Sequence, residues 1–314
     1  MAKSVSTKSV SASDINRATY LKHLLTQASA AADESPLPLS SRPLKAIRDK
    51  AIAIVSDHTF PSRRDEEWRF TDLSDMLTKP FQRASKAGGM PSIATALTRK
   101  VVEKGKYCLS SVDGHYDSSR STTGNQSNVV VAPLSELIKA PEYAQKLESI
   151  ISQKLAKIEG ADEVFTALNT AGFSDVMVIW VAADQTVQAP ICITRQSQQA
   201  AISHLRTLIV AERHANVTVA ESFSGTPTDS ADMSRCNTSV TEIWLAEGAQ
   251  VNHVRVQDES AETFHIAKTA VNQASNSHYQ CISVDLGAKL SRHHLEVYQA
   301  GPQTNTNMYG LSVL

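Results

Sequence analysis

The chain has 314 residues, 31 basic and 32 acidic side chains, a net charge of −1, and 41% hydrophobic content. That length holds one large or two ordinary domains with a sizeable core, and the balanced charge gives no bulk electrostatic case for nucleic acid or an anionic membrane. No uninterrupted apolar run approaches the roughly 18 residues of a membrane span.

The opening MAKSVSTKSVSAS holds no acid and lacks the apolar core of a secretory signal. It reads as a flexible N-terminus or the remnant of an organelle transit sequence, which gives a cytoplasmic expectation, or the plastid stroma in the second case. Residues 11 to 31 form a predicted helix, with Ser11 or Ser13 as cap and Tyr20, Leu21, Leu24 and Leu25 on one stripe. The Pro-rich joint ESPLPLSSRP separates it from a second helix over 43 to 56, where Leu44, Ile47, Ala51, Ile54 and Val55 fall at helical spacing. In PSRRDEEWRFTDL, Ser62 and Asp65 resemble a capping box with Trp68 as the apolar anchor. A polar, Gly-rich loop is expected over 81 to 90. Strands follow at 107 to 112, entering an Asp113-Gly114 turn, and at 129 to 131. Helices are predicted over 134 to 138, 142 to 158 and 162 to 169, with Pro141 starting the second. The strand 176 to 181 comes next, and no helix pattern appears beyond it. The chain therefore divides into a mostly helical N-terminal part with short strands, 1–170, and an all-β array, 171–314.

The array is the organising stretch. Apolar residues alternate with polar ones at Leu208 and Val210, Val217 and Val219, Ile243 and Leu245, Val251, Val254 and Val256, and Leu295 and Val297. Three turns share one shape, His214-Ala215-Asn216-Val217, Gly248-Ala249-Gln250-Val251 and Gly287-Ala288-Lys289-Leu290, and their alanines recur at similar spacing. A loose repeat of that kind made only of strands and turns implies stacked coils, each needing a neighbour to bury its apolar face.

The common phosphate, dinucleotide, zinc-hydrolase and nucleophile-elbow motifs are absent. Cys108, Cys192, Cys236 and Cys281 are too scattered for zinc or iron–sulfur spacing and read as buried thiols in a reducing compartment. Asp65-Glu66-Glu67 is either an acid/base pair or, since adjacent helical residues diverge, charge complementing a helix start. Seven histidines, His204, His214, His253, His265, His278, His293 and His294, lie in the array. Stacked coils bring matching positions together, so they are either metal ligands by register or solvent-facing and hydrogen-bonded side chains. Cys281, with His278, Arg292, His293 and His294 nearby in sequence, is either a thiol made acidic by cations or a core residue.

Several segments carry a family likeness, and they occur in one order. PSRRDEEWRFTDL at 61–73 resembles the R-x-E-x-W-R-Y-T-x-L element of SufB and SufD. Val112-Asp113-Gly114 with 130–134, Phe165 to Ala171 (F-x-x-L-N-x-A) and Ser203 to Arg206 (S-H-x-R) are similar to later elements. Asn237, Glu242, Gly248-Ala249, His253, Gln257, His265, Leu286-Gly287-Ala288 and Arg292 continue the pattern to about residue 310. The chain is thus identified as a member of the SufB/SufD family, most like SufD. The resemblance implies an α+β, mainly β fold, a right-handed parallel β-helix after a mixed, mostly helical N-terminal domain. It also implies a non-catalytic scaffold or adaptor in iron–sulfur cluster assembly, partnered by a SufB-like paralogue and a SufC-like ABC ATPase that hydrolyses ATP. The cluster would be handled by the assembled complex, with no cofactor bound by this chain alone.

Family members continue beyond the equivalent of Leu314 with further coils and a helical domain that carries the docking and cluster-forming residues. A fragment or a naturally short product is therefore expected, with self-association through its open β end. No catalytic, cofactor-binding or metal residue is assigned. Two other functions remain: a carbohydrate-active enzyme on a β-helix, needing convergent carboxylates among Glu212, Glu221, Glu242, Glu247, Asp258, Glu259, Glu262, Asp285 and Glu296, and a direct metal or cluster carrier through stacked histidines.

Overall fold

The computed structural model describes residues 12–33, 35–38, 41–85, 105–126, 128–226 and 234–313. Residues 1–11 of the opening stretch read as a transit remnant, and 86–90 of the loop expected over 81 to 90, lie outside the described residues. Among the described residues there are five helices: α1 (Ala12–Asp33), α2 (Arg42–Asp57), α3 (Leu134–Leu137), α4 (Ala144–Gln153) and α5 (Val164–Gly172). α1 buries Leu21, Leu24 and Ala28, and α2, with Pro43 in its first turn, buries Leu44, Ile47, Ala51 and Val55. α5 is buried along its whole length, between the other two helices and the sheet beneath.

Fifteen strands among the described residues make two sheets. The early ones are β1 (Gln82–Arg83), β2 (Tyr107–Val112), β3 (His115–Tyr116), β4 (Gly124–Gln126), β5 (Val129–Pro133) and β6 (Met177–Val181). The array supplies β7 (Ile191–Ser197), β8 (Ala201–Ala211), β9 (Asn216–Gly225), β10 (Arg235–Leu245), β11 (Gln250–Asp258), β12 (Thr263–Gln273), β13 (His278–Asp285), β14 (Leu290–Gln299) and β15 (Asn305–Ser312). One sheet runs β14-β12-β10-β8-β6-β5-β4, with β1 beside β8; the other runs β15-β13-β11-β9-β7-β2-β3. From β6 onward successive strands enter opposite sheets, and every lateral pairing among them is parallel. The result is a mixed α+β, mainly β molecule whose chain winds between two parallel-stranded sheets. β2 and β5 extend these same sheets before the array begins.

The register corrects the repeat read from sequence. Asn216, Gln250, His278 and Asn305 are partners across β9, β11, β13 and β15, so the coil from Asn216 to Gln250 is longer than the two after it. Ala215 and Ala249 do occupy matching buried corners, but the third member is Ser277. Backbone bonds tie them along the stack, from Gln250 N–H to Ala215 O at 2.8 Å and from His278 N–H to Ala249 O at 2.8 Å. Gly287-Ala288 sits at the opposite corner, where Ala288 N–H donates to Glu259 O at 3.0 Å. Each corner on the first side also carries one left-handed residue: Asp184 (φ 60°), His214 (56°), Gly248 (68°), Asn276 (59°) and Gln303 (59°). Asp, Asn and Gly tolerate that conformation best, and only one of the five is glycine, so the repeat carries little residue identity.

The two-residue alternation also needs one correction. In β8 the inward residues are Ile209 and Ala211, which join Ile243, Leu245, Val217, Val219 and Val251 in the core between the sheets. Leu208 and Val210 point the other way, packing with Leu147 and Ile151 of α4 and with Trp180. β8 is buried on both faces, so its apolar run carries no single-face signature. Two helix expectations shorten. The segment after Ser62 is a 3-10 turn, Glu66–Trp68, and the helix expected to reach residue 158 ends at Gln153, before left-handed Ala156.

Candidate functional site

The space between the sheets is apolar near the Ala215 corner and polar toward the other. Thr207, Thr241 and Thr269 lie in register on β8, β10 and β12, facing inward. Opposite them, on β9, is Glu221, 2% exposed. It accepts hydrogen bonds from the Thr207 hydroxyl at 2.7 Å, the Thr241 hydroxyl at 2.8 Å and His253 Nε2 at 3.0 Å. One coil on, His253 Nδ1 lies 3.2 Å from the Tyr279 hydroxyl, and Cys281 is its partner on the parallel strand. Burial works against charge on His253, but bonds to Cys281 and Glu221 outweigh it and raise its pKa to about 9. Burial likewise opposes ionisation of Glu221, yet His253, Arg195 and Thr207 bring it down to about 2. Burial raises the Cys281 thiol, and His253 more than compensates, so its pKa falls below the ordinary value. The seam is thus a carboxylate, an imidazolium and an acidified thiol in line. At 1% exposure the sulfur acts on its neighbours rather than on solvent.

A second run continues the seam. Arg255 donates to Asp285 at 2.7 Å and to His265 Nε2 at 2.5 Å. Arginine has no acceptor, so that ring nitrogen accepts and the proton sits on Nδ1, which lies 2.7 Å from Glu259 Oε2 without hydrogen-bond geometry. Glu259 also accepts from Asn237 and Gln257. His293 bridges the Thr269 hydroxyl at 2.9 Å and the Ser283 hydroxyl at 3.4 Å; burial and the Arg255 charge hold its pKa well below the usual value. Buried polar networks of this kind stiffen a core and favour one register, although Arg255 Nε and His265 Nδ1 lack a hydrogen-bond partner of good geometry.

On the outer face of the first sheet, Arg206 and Glu242 form an ion pair at 2.8 Å with both side chains wholly buried. Arg206 also donates to Asn169 Oδ1 and to the Thr170 hydroxyl of α5, while the Asn169 amide donates back to the Leu205 and Thr238 carbonyls. Asn169, Arg206 and Glu242, distant in sequence, are therefore one clamp of helix on sheet. Nearby His204 bonds Thr238 at 2.7 Å through Nδ1, and burial lowers its pKa to about 4, a neutral core histidine. Trp68 is similarly fixed: it stacks on Phe165 with centroids 5.2 Å apart, under the Arg292 guanidinium at 4.2 Å.

The structure places the residues that the sequence singled out as follows. Asp65 accepts from the Ser62 backbone N–H at 2.7 Å, so the acidic run starts a turn. His253, His265 and His293 face inward, His214 and His278 sit at exposed corners, and the register of the described strands puts no two histidines side by side. Among the described residues no group of three or more His, Cys, Asp or Glu side chains is arranged to hold a metal ion. Glu212, Glu221, Glu242, Glu259, Asp285 and Glu296 each face a cation or an uncharged donor. Cys281 is a core residue, and the cation that acidifies it is His253, its ladder partner one coil earlier. Sequence reasoning looked among neighbours in the chain; the coil length was the signal that pairs these two.

Two family models cover the chain. The SufBD protein N-terminal region matches residues 17–193, and the SufBD core domain of SUF-system iron–sulfur cluster assembly matches residues 193–314. The chain is 34% identical over 274 residues, 85% of its length, to the iron–sulfur cluster assembly SufBD family protein slr0076 of Synechocystis. It is 27% identical over 287 residues, 87% of its length, to the chloroplastic protein ABCI7 of Arabidopsis thaliana. It spans 59% and 57% of those two relatives. Matched by the two models together from residue 17 to residue 314, and folded into the parallel-stranded sheets that its motifs clamp together, this chain belongs to the SufBD family of iron–sulfur cluster assembly proteins.

Proposed function

We propose that this chain is a non-catalytic scaffold subunit in a SUF-type assembly complex, acting beside a SufB-like paralogue and a SufC-like ABC ATPase. The iron–sulfur cluster is cargo of the complex, and the energy of ATP belongs to the ATPase. In this reading the two sheets are a right-handed parallel β-helix, the hand that parallel crossovers in one sheet adopt almost without exception. Residues 1–170 form the mostly helical front part, contributing β2 and β5 to the winding, and 171–314 its core. The compartment is cytoplasm or plastid stroma; a chloroplastic relative is compatible with the latter, and among the described residues no helix is long and apolar enough to cross a membrane.

The observation that carries the reading is the family match across both regions. It is supported by the use the fold makes of the chain's charged residues: Arg206, Glu242, Arg292 and Glu221 are spent on holding coils and helices in place. The test is co-expression of this chain, and of a version extended to the length of its relatives, with SufB-like and SufC-like proteins. The extended version is expected to bring down both. If it binds neither, the assembly role fails, however well the fold matches.

A further inference from the structure

Away from the interior seam, α2, the turn after α4 and the end of α5 enclose a half-open pocket of about 460 Å³. That is within the ~300–1,000 Å³ range of small-molecule sites. Its walls are apolar and mostly small: Pro43, Ala46, Ile47, Ala51 and Ile54 along α2, and Ala156 across from them. Among the described residues the charged lining side chains are Arg42, Lys50 and Lys157, all exposed at the rim and none in a salt bridge with an acid there. Arg42 and Lys50 lie on one helix, about 12 Å apart along its axis, with Ala46 between them.

Among the described residues the floor offers no free polar group. The Thr170 hydroxyl donates to Thr166 O at 2.8 Å and accepts from Arg206 at 3.1 Å, and the Ser152 hydroxyl donates to Glu148 O at 2.7 Å. The far wall is held rigid, because Ala156 N–H donates to Glu242 Oε1 at 2.8 Å, tying the turn to the buried Arg206–Glu242 pair. A preformed apolar cleft with uncompensated positive charge only at its mouth selects a ligand with an apolar body and one anionic end.

We propose that this pocket binds an amphipathic organic anion, its alkyl or aryl body lying between α2 and Ala156 and its acid group among Arg42, Lys50 and Lys157. The site is independent of the assembly role. Phe70, another exposed feature of the helical half, is 87% exposed, but both acids and arginines flank it in sequence and favour no occupant.

Isothermal titration of the whole chain with decanoate and with decan-1-ol tests this. Decanoate is expected to saturate one site and to bind at least fivefold tighter than the neutral alcohol at low salt, the gap narrowing as salt screens the rim. Replacing Lys50→Glu and Lys157→Glu together should weaken decanoate tenfold or more while leaving decanol within twofold. Ala46→Trp, at an exposed position on the mouth, should weaken both ligands tenfold with an unchanged circular dichroism spectrum and melting curve. Absence of saturable binding at millimolar decanoate overturns the proposal. So does binding that survives Ala46→Trp, binding lost instead on Met308→Ser at the far end of the sheets, or equal affinity for acid and alcohol.

Discussion

Glu221→Gln tests whether the interior seam is held by charge. Glu221 and His253 are both essentially inaccessible, at side-chain exposures of 1% and 0%, and 3.0 Å apart. Removing one partner of such a pair leaves the other as an uncompensated buried charge, at a cost of about 3–5 kcal/mol. For a domain of this size that is a drop in Tm on the order of 10 °C. The pH profile is the sharper readout. His253 is raised to about 9 from 6.5, so its contribution is complete below pH 6.5 and is lost as pH rises through 9. Glu221 is lowered to about 2 from 4.5, so its contribution is complete above pH 4.5 and is lost as pH falls toward 2. The wild-type stability that this pair supplies therefore peaks between pH 4.5 and 6.5. Urea unfolding followed by tryptophan fluorescence, from about pH 3 to about pH 10, should show that plateau eroding on both flanks, and Glu221→Gln should flatten it. Glu221→Gln with His253→Gln should cost far less than the two single changes added together. A single-variant cost under about 1 kcal/mol, with a pH profile parallel to wild type, would refute the charged pair.

Four further outcomes are expected from buried contacts elsewhere in the molecule. Arg206→Leu should destabilise by about 3–5 kcal/mol and Arg206→Met with Glu242→Leu by much less, since the pair is wholly buried; a double-mutant cycle in urea measures the coupling. Arg292→Ala, losing the guanidinium 4.2 Å above Trp68, should cost about 0.5–2 kcal/mol by thermal melting, with Arg292→Lys intermediate. Gly287→Ala should cost about 1–3 kcal/mol, because a Cβ there overlaps the Glu259 carbonyl; limited proteolysis should then cut near residue 287 first. All four cysteines are buried, so a thiol reagent at neutral pH should label none in the folded chain and four in urea.

The gross layout was legible because local patterns survive in it. α1 and α2 keep helical stripes, β2, β5 and β6 keep apolar bursts, and among the described residues no helix follows Gly172. What escaped was whatever depends on register. The corner stack runs Asp184, His214, Gly248, Asn276 and Gln303, five residue types for one backbone conformation. A search for repeated Gly-Ala therefore joined Ala288 to the wrong corner. Leu208 and Val210 alternate correctly but face the helices, since β8 has core on both sides. The seam was illegible for the same reason: Glu221, His253 and Cys281 stand on three successive coils, far apart along the chain. Only the pairing of β9, β11 and β13 makes them neighbours.

A winding that returns to the same corner after a near-constant length of chain, once past the longer β9–β10 passage, makes that length a quantised quantity. Adding or deleting one whole circuit leaves every ladder above and below in phase. A change of a few residues is absorbed only where the path bows out at a corner. Homologues of differing length are thus expected to differ by full circuits or by corner excursions, so numbering by circuit, not by position, is the natural coordinate for comparing them.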